Sequence, residues 1–459
     1  MTYSGSFGIE ALSAAYSDGT AKPTSIVEAV HARIVAYSAS NPHVWIDLVP
    51  LADLLARAHS LESEYAERRK PPLFGIPFSV KNNIDVVGLR TTAGCAAFAY
   101  EPIETARVVD KCLAAGAILV GTTNLEQFAT GLTGCRSPYG TPSCHHSPRY
   151  CAGGSSSGSA VSVAADLVSF SLGTDTAGSV RVPAALNGVV GFKPTFGRVS
   201  KCGVVPAVKT LDCVGVLAQS TTDATTVWNV IKGYDERDVY SRSDEHYARL
   251  ERWDSRGELR VGVPPRALAI ERLADEYKRL WEAVLETLGQ KRLVTNDQSD
   301  YDPFEKANEM VYGSSLVAQR VASFDDFLAK HGTSSLHPVI QTIFDDATGK
   351  YSAIDAFRDL DRVAQLKRLV ERQFREEIDV LVVPSTAKHY TIAQVEADHF
   401  GTNRVLGTFS QFVNLLDLCA ISIPVATWKD EEGVELSFGM TLIAEAGRDD
   451  DLLELARRL

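Results

Sequence analysis

The chain has 459 residues, of which 45% are hydrophobic and 23% charged, an ordinary balance for a globular protein. Its formal net charge is −12 and it has no run of lysines or arginines, which argues against nucleic-acid binding. No apolar run approaches the ~20 residues needed to cross a membrane, and residues 1–8 carry neither a basic region nor an apolar signal core. We therefore expect a soluble, cytoplasmic protein that binds neither nucleic acid nor membrane.

The first predicted element is an N-terminal helix. Ser25 followed three residues later by Glu28 matches a capping box, which satisfies backbone N–H groups at a helix start. Val30, Ile34 and Val35 share one face of this helix, which we expect to pack on the core.

An apolar, strand-like stretch at residues 75–80 is followed directly by Lys81. Burial disfavours the charged form of a lysine and therefore lowers its pKa. A shift of ~3 units from the ordinary value of ~10.4 would leave Lys81 neutral and basic near pH 7. Lys81 is thus a candidate catalytic base.

Helix and strand patterns alternate along the next part of the chain. Residues 106–113 predict a helix that Gly116 ends, and residues 117–120 predict a strand. Because the alternation continues through residues 160–172 and 189–216, we predict an α/β fold with a mixed central β-sheet covered by helices on both faces.

Eight cysteines are scattered without a C-x-x-C pair, mostly among apolar or small neighbours, which favours reduced core thiols. Cys144, His145, His146 and Cys151 have the ligand types of a zinc site, but three consecutive ligands suit a tetrahedral ion poorly. We predict no metal.

Two glycine-rich turns hold serines 24 positions apart, Ser155 within residues 153–159 and Ser179 at the end of residues 173–179. Glycines permit positive φ and let backbone N–H groups converge on one point, as a pocket for a developing negative charge requires. Residues 160–172 predict a buried helix followed by a short strand. The two turns are therefore expected to meet at one end of a layered core.

The first glycine-rich turn also partly resembles two other motifs. A phosphate-binding loop needs a lysine directly after its last glycine, whereas Gly158 is followed by Ser159. Residues 154–158 match the G-x-S-x-G nucleophile elbow around Ser156, but that motif needs a preceding strand and residues 144–151 are too polar and turn-like for a buried one. The structural alternative is that the two glycine-rich turns only cap helices and have no catalytic role.

Lys81, Ser155 and Ser179, with their flanking glycines, resemble the Ser-cisSer-Lys triad of the amidase signature hydrolases. The resemblance implies that Ser179 attacks the amide carbonyl, that Ser155 relays the proton after a cis peptide bond, and that Lys81 is the ultimate base. No cofactor is implied. The oxyanion hole would consist of four backbone N–H groups, those of Thr176, Ala177, Gly178 and Ser179.

Within that family, residues 123–132, 173–178 and 210–213 are similar to the allophanate hydrolases. The likeness implies a small ureido substrate with a carboxylate, hydrolysed with release of ammonia in urea catabolism. An arginine fork suits such a carboxylate.

Residues 309–320 resemble the helix that carries the substrate-binding tyrosine and arginine of that subfamily, which would be Tyr312 and Arg320, and Gly131 is assigned to substrate binding by the same likeness. Eight positions are about two helical turns, which would place both side chains on one face. A core tyrosine with a solvent-facing arginine remains the alternative.

Three departures from the family pattern leave the substrate open. Asn82 stands where aspartate is usual, Val180 where this subfamily usually has glycine, and Gln319 where glutamate is expected. Asn82 is expected to favour neutral Lys81, and Val180 to narrow the pocket or displace the helix start. A related amidase acting on biuret or a small carboxamide remains an alternative, as does an amidotransferase-like component that works only inside a complex.

In the second half of the chain, residues 259–263 predict a strand, and residues 378–384 and 412–421 return to the core. After the strand at residues 259–263, the pattern predicts a helix with a buried apolar stripe, formed by Leu273, Tyr277, Leu280, Trp281, Val284 and Leu288.

The resemblance implies one amidase signature domain over residues 1–459, without the second, C-terminal domain of full-length allophanate hydrolases. It also implies a homodimer and association with a urea carboxylase. The expected parts are an N-terminal helical region (1–70), a catalytic core (71–230), a variable substrate-specificity region (231–375) and a core-closing segment (376–459).

Overall fold

A computed structural model describes residues 3–247, 253, 259–291, 293–296 and 300–459. Within these residues the strands are β1 (Trp45–Leu48), β2 (Pro77–Lys81), β3 (Ile118–Thr123), β4 (Ser143–Cys144), β5 (Ser147–Cys151), β6 (Phe170–Asp175), β7 (Val190–Lys193), β8 (Cys213–Ala218), β9 (Arg260–Gly262), β10 (Val294–Asn296), β11 (Val380–Pro384), β12 (Leu418–Lys429) and β13 (Glu435–Glu445).

The α-helices in the same residues are α1 (Ile9–Ser17), α2 (Pro23–Ser38), α3 (Leu51–Glu64), α4 (Arg107–Ala114), α5 (Ser157–Ala164), α6 (Arg181–Asn187), α7 (Thr221–Ile231), α8 (Arg266–Arg272), α9 (Asp275–Gln290), α10 (Asp302–Gly313), α11 (Ala318–Ser323), α12 (Asp325–His331), α13 (Pro338–Ala347), α14 (Ala353–Glu376), α15 (Ile392–Ala397), α16 (His399–Leu406), α17 (Phe412–Leu415) and α18 (Asp449–Arg458). None of the described helices is both long enough and apolar enough to cross a membrane.

Eleven of the described strands form one mixed sheet, in the order β1-β3-β2-β6-β8-β7-β12-β13-β11-β9-β10. Strand β2 runs parallel to β3 and β6, and β9 runs parallel to β10 and β11. The other neighbouring pairs are antiparallel. The α/β class and the mixed central sheet predicted from the sequence are confirmed.

The register of β2, β3 and β6 determines where polar groups collect. Lys81 at the end of β2 pairs with Thr123 at the end of β3, and Val80 pairs with Leu172 of β6. Since parallel strands end at one edge, Lys81, Thr123 and the end of β6 at Asp175 lie along the same edge of the sheet. Open α/β sheets bind ligands at such an edge.

Helices α5 and α6 connect this edge to the rest of the core. Helix α5 packs against β2, β3, β6 and β8, and α6 packs against β7, β12 and β13. Both are short and built mainly of small or branched apolar residues, which lets them lie close to the strands. The glycine-rich turns precede these two helices, so packing of the helices positions the turns.

The predicted N-terminal helix begins earlier than expected. Helix α2 starts at Pro23, and the Lys22 N–H donates to Ser25 Oγ at 3.0 Å, so the predicted capping box between Ser25 and Glu28 is wrong. Val35 is 61% exposed, because the buried face of the helix is narrower than the apolar pattern suggested.

A strand does precede the first glycine-rich turn, but it is partly exposed and is not the buried strand that a nucleophile elbow needs. Strand β5 pairs with β4 in a separate two-stranded sheet, outside the central sheet, which explains its polar composition. Elsewhere the predicted α4–β3 unit is confirmed, and α9 begins at Asp275, two residues after Leu273.

Candidate active site

Lys81 is completely buried at the end of β2. Its Nζ lies within hydrogen-bond distance of three oxygens: Ser155 Oγ at 2.7 Å, Thr174 Oγ1 at 2.9 Å and the Thr174 carbonyl at 3.3 Å. Burial lowers the pKa of Lys81 from 10.5 to about 7, although the carboxylates of Asp175, Asp212 and Glu126 oppose this shift. The burial and the lowered pKa predicted for this lysine are thus both found.

Ser155 follows a cis peptide bond between Gly154 and Ser155. The backbone on both sides of this bond is held by loop 126–132: the Gly154 N–H donates to the Leu132 carbonyl at 2.8 Å, and the Glu126 N–H donates to the Ser155 carbonyl at 3.1 Å. The first turn also contacts the second, since the Ser156 N–H donates to the Ser179 carbonyl at 3.2 Å. The two glycine-rich turns therefore meet, as predicted.

The turn that carries Ser179 is organised around Asp175. The Asp175 carboxylate accepts from the Gly178 N–H at 2.8 Å and the Val180 N–H at 3.1 Å, and Arg181 donates to both of its oxygens. Burial alone would raise the pKa of Asp175, but the adjacent Arg181 guanidinium outweighs it and brings the pKa to about 2. An ionised Asp175 therefore fixes the turn from inside.

This arrangement corrects the predicted oxyanion hole. Because the Gly178 N–H donates to Asp175, it is not available to an oxyanion in this structure. The N–H groups of Thr176, Ala177 and Ser179 donate to no other described residue. Three of the four expected donors are thus free to bind an anion.

The Ser179 side chain is buried, and its hydroxyl makes a long hydrogen bond of 3.5 Å to the Gly131 carbonyl. Among the described hydrogen bonds, Ser155 Oγ is joined to Lys81 but not to Ser179 Oγ. The geometry thus places Gly131 beside Ser179 and Lys81 beside Ser155.

The continuous helix expected over residues 309–320 is not present. Helix α10 ends at Gly313, because the Ser314 hydroxyl bonds to the Met310 carbonyl and accepts from the Leu316 N–H. A 3-10 helix (Ser315–Val317) leads into α11, which carries Arg320. Side-chain bonds of this kind compete with the backbone bonds of a helix and often bend it.

Tyr312 and Arg320 nevertheless meet across this break. Arg320 Nη2 donates to Tyr312 Oη at 3.2 Å, the guanidinium carbon lies 5.1 Å from the centre of the tyrosine ring, and Nη1 donates to Thr130 Oγ1 at 3.0 Å. Arg320 is only 2% exposed, so the solvent-facing alternative is wrong.

Arg320 has no carboxylate within ion-pair distance among the described residues, whereas Arg181 is paired with Asp175. Burying a cation without an opposite charge is unfavourable. The Arg320 guanidinium is therefore available to pair with an anionic ligand.

A cavity of about 530 Å³ lies beside this arginine. Tyr312 forms part of its wall, and the hydroxyl of that tyrosine is the group that Arg320 contacts. Its lining also includes Arg136, Val317, Asn403 and Gln411, but not Arg320, Lys81, Ser155 or Ser179, so Tyr312 is the link between this cavity and the site.

Each of the three residues that depart from the family pattern has defined contacts in the structure. Asn82 accepts from the Thr92 backbone N–H at 2.8 Å, so it is a structural residue of the strand end. Val180 is fully buried against Gly173 and Gly215, and therefore occupies the core behind the turn rather than the pocket. Gln319 accepts from the Thr210 hydroxyl at 2.5 Å.

The cysteine and histidine cluster at residues 144–151 forms no metal site within the described residues. The Cys144 thiol donates to the Leu186 carbonyl at 3.2 Å, and burial raises its pKa to about 12. A protonated thiol is a poor metal ligand.

No role is predicted from the sequence for four residues that shape the site: Thr174, Asp175, Arg181 and Thr130. Asp175 and Arg181 flank the Ser179 turn at a spacing of six residues, and this flanking charge pair was a usable signal. The sequence gives no such signal for Thr130 and Thr174. Thr130 matters through its contact with Arg320, and Thr174 through its contact with Lys81, and both contacts join residues far apart in the chain.

A family model described as Amidase matches residues 26–453. Urea amidolyase of Saccharomyces cerevisiae is 39% identical over 426 residues, which is 91% of this chain and 22% of that protein. A glutamyl-tRNA(Gln) amidotransferase subunit from Deinococcus deserti is 33% identical over 482 residues, covering 99% of this chain and 96% of that protein.

Among solved structures, Kluyveromyces lactis allophanate hydrolase matches with a TM-score of 0.86 and 34% identity, covering 98% of this chain and 72% of that one. This chain therefore spans about a fifth of the length of the urea amidolyases, but nearly all of the amidotransferase subunit.

The lowered pKa of Lys81 predicts a specific pH dependence of stability. Between about pH 7 and 10.5 the unfolded chain binds a proton at Lys81 that the folded chain does not, so stability rises with pH. Relative to Lys81→Met, the free energy of unfolding of the wild type should rise by about 1.4 kcal/mol per pH unit in this window. Urea denaturation at pH 7, 8, 9 and 10 measures this, and parallel curves for the two proteins would contradict the burial of a neutral lysine.

Proposed function

Because this chain belongs to the amidase signature family, and is thus a hydrolase of amide C–N bonds, we propose that Ser179 is its nucleophile, Ser155 its proton relay and Lys81 its base. The substrate that we propose is allophanate, a small ureido compound with a carboxylate. The observation that carries this choice of substrate is the buried Arg320, which lacks a carboxylate partner among the described residues.

In the first step, neutral Lys81 takes a proton from Ser155 while Ser155 takes the proton of Ser179. Neutral lysine has one lone pair and two N–H groups, which matches one bond to Ser155 and two to Thr174. The Ser179 hydroxyl turns from the Gly131 carbonyl toward Ser155, and its oxygen attacks the terminal carbamoyl carbon.

The negative charge that develops on the carbonyl oxygen needs preorganised donors. The free N–H groups of Thr176, Ala177 and Ser179 supply them, in a turn that the Asp175–Arg181 pair keeps rigid. The relayed proton then passes to the leaving nitrogen, ammonia departs, and Ser179 carries the remaining acyl group.

Water hydrolyses the acyl-enzyme through the same relay, with the proton of water passing through Ser155 to Lys81. Throughout, the substrate carboxylate pairs with Arg320, while Tyr312 and Thr130 orient the guanidinium. A bidentate arginine–carboxylate pair fixes orientation as well as adding binding energy. The proposed residues require no cofactor for this chemistry.

The names of two similar proteins support this substrate, since they are urea amidolyase and allophanate hydrolase. We also propose that the chain works as a homodimer, in association with a urea carboxylase that supplies a carboxylated urea. Size measurement of the purified chain, alone and mixed with such a carboxylase, tests both proposals.

A second candidate function follows from the match to a glutamyl-tRNA(Gln) amidotransferase subunit over nearly its whole length. In that case the chain would release ammonia from an amide only as one component of a complex. Ammonia release by the purified chain alone would contradict this candidate.

The proposed function predicts that the purified wild type releases ammonia from allophanate faster than from biuret or simple carboxamides. Ser179→Ala should lose at least about 10³-fold in turnover, because the nucleophile is removed while the surrounding turn is kept. A coupled ammonia assay measures the rates, and circular dichroism checks folding. Full turnover by folded Ser179→Ala would contradict the mechanism, and release only from other amides would contradict allophanate.

The role proposed for Arg320 predicts a substrate-dependent loss. Arg320→Gln should lower kcat/KM for allophanate by about 10²-fold, since a charge-assisted pair to a carboxylate is lost. For biuret, which has no carboxylate, the loss should be much smaller. Equal losses for the two substrates would show that Arg320 serves the structure of the site and not the recognition of a carboxylate.

A further inference from the structure

The Glu126 carboxylate is buried completely beside the proposed triad, yet the proposed chemistry does not use it. Its Oε1 accepts from the Thr133 hydroxyl at 2.6 Å and from the Gly134 N–H at 3.0 Å. Its Oε2 has no hydrogen-bond partner among the described residues. Burying a carboxylate oxygen without a hydrogen-bond donor costs free energy. The two hydrogen bonds of Oε1 therefore do not by themselves explain the position of Glu126.

Oε2 is in close contact with two glycines of the site. A Cβ atom added at Gly154 would lie 2.7 Å from Oε2, and one added at Gly131 would overlap the same atom. Gly131 provides the carbonyl that accepts from Ser179, and Gly154 precedes Ser155. One carboxylate therefore touches the backbone next to both proposed catalytic serines.

Arg136 completes the same arrangement. Its Nε lies 3.9 Å from Glu126 Oε1, and its Nη1 donates to the Thr130 carbonyl at 3.2 Å. The hydroxyl of Thr130 accepts from Arg320. The Glu126–Arg136 pair thus holds the two residues, Thr130 and Gly131, that contact the proposed substrate arginine and the proposed nucleophile.

The charge of Glu126 also acts on Lys81. The groups whose charges affect the Lys81 amine are three carboxylates, Asp175, Asp212 and Glu126, which favour its protonated form, and Arg320, which disfavours it. Asp175 is neutralised by Arg181, and Asp212 accepts from the Thr176 hydroxyl at 2.5 Å. Burial raises the pKa of the Glu126 carboxyl, whereas the Arg136 cation, 3.9 Å away, and the hydrogen bonds from Thr133 and Gly134 favour its charged form.

We propose that Glu126 is a positioning residue for the amide hydrolysis, placed so that its carboxylate packs against Gly131 and Gly154 while acting on Lys81 through space. The inference rests on the proposed roles of Ser179, Ser155 and Lys81. It does not depend on which amide is the substrate.

A fluorophosphonate probe tests this without a substrate. Ser179 Oγ forms a bond to phosphorus, the P–F bond breaks and fluoride leaves, and the hydroxyl proton passes through Ser155 to Lys81. The labelling rate of the wild type should rise with pH through a midpoint near that of Lys81, about 7. In Glu126→Gln, which keeps the shape but removes the charge, the midpoint should fall by at least about half a unit.

Glu126→Asp separates position from charge. It keeps the charge but draws the carboxylate away from Gly131 and Gly154, so the midpoint should stay near that of the wild type while the plateau rate falls by about tenfold. Asp449→Asn is the matched control: Asp449 is also a buried carboxylate, bonded to the Thr195 N–H, but it is not among the groups that act on Lys81. This control should label with the midpoint of the wild type.

Wild-type midpoint and rate in Glu126→Gln would overturn the inference. If Glu126→Gln does not fold, a wild-type rate in Glu126→Asp overturns it instead. Absence of Ser179 labelling in the wild type would contradict the proposed function itself, and the inference with it. The two failures are therefore distinguishable by mass spectrometry of the labelled peptide.

Discussion

The interaction on which the site depends is the burial of the Lys81 amine at the carboxyl end of β2. Water cannot solvate this amine, so its protonation is decided by the three oxygens that it contacts and by nearby charges. The parallel register of β2, β3 and β6 brings these groups to one edge of the sheet. Fold and chemistry are thus linked through one side chain.

Two buried arginines near this lysine have different partners. Arg181 is paired bidentately with Asp175, and together they hold the backbone of the Ser179 turn. Arg320 contacts hydroxyl groups and the face of a tyrosine ring, and no described carboxylate forms an ion pair with it. We infer that the first pair preorganises the oxyanion donors and that the second arginine recognises the substrate. Both guanidinium groups are buried, so the difference inferred between the two arginines rests on their partners.

Much of the fold and part of the site could be predicted from local patterns. The buried Lys81 followed from an apolar stretch, and the meeting of the two turns from the short helix and strand between them. The break at Ser314 could not be predicted, because a single hydroxyl competes with the helix there and periodicity does not record such bonds. Strand β5 was missed because it belongs to a small hairpin whose polar residues are typical of an exposed strand. Two hydrogen bonds could not be predicted from sequence spacing either. They run from the Gly178 N–H to Asp175 and from Arg320 to Thr130, and they depend on the three-dimensional fold.

To act as the base, Lys81 must be neutral at the pH at which the enzyme works. The most direct test is a titration of the protein with ¹⁵N-labelled lysine, in which the Nζ resonance of Lys81 is followed by NMR and assigned by its absence in Lys81→Met. We predict a titration midpoint near 7. A midpoint at the ordinary value of 10.5 would show a permanently charged amine and would contradict its role as the base.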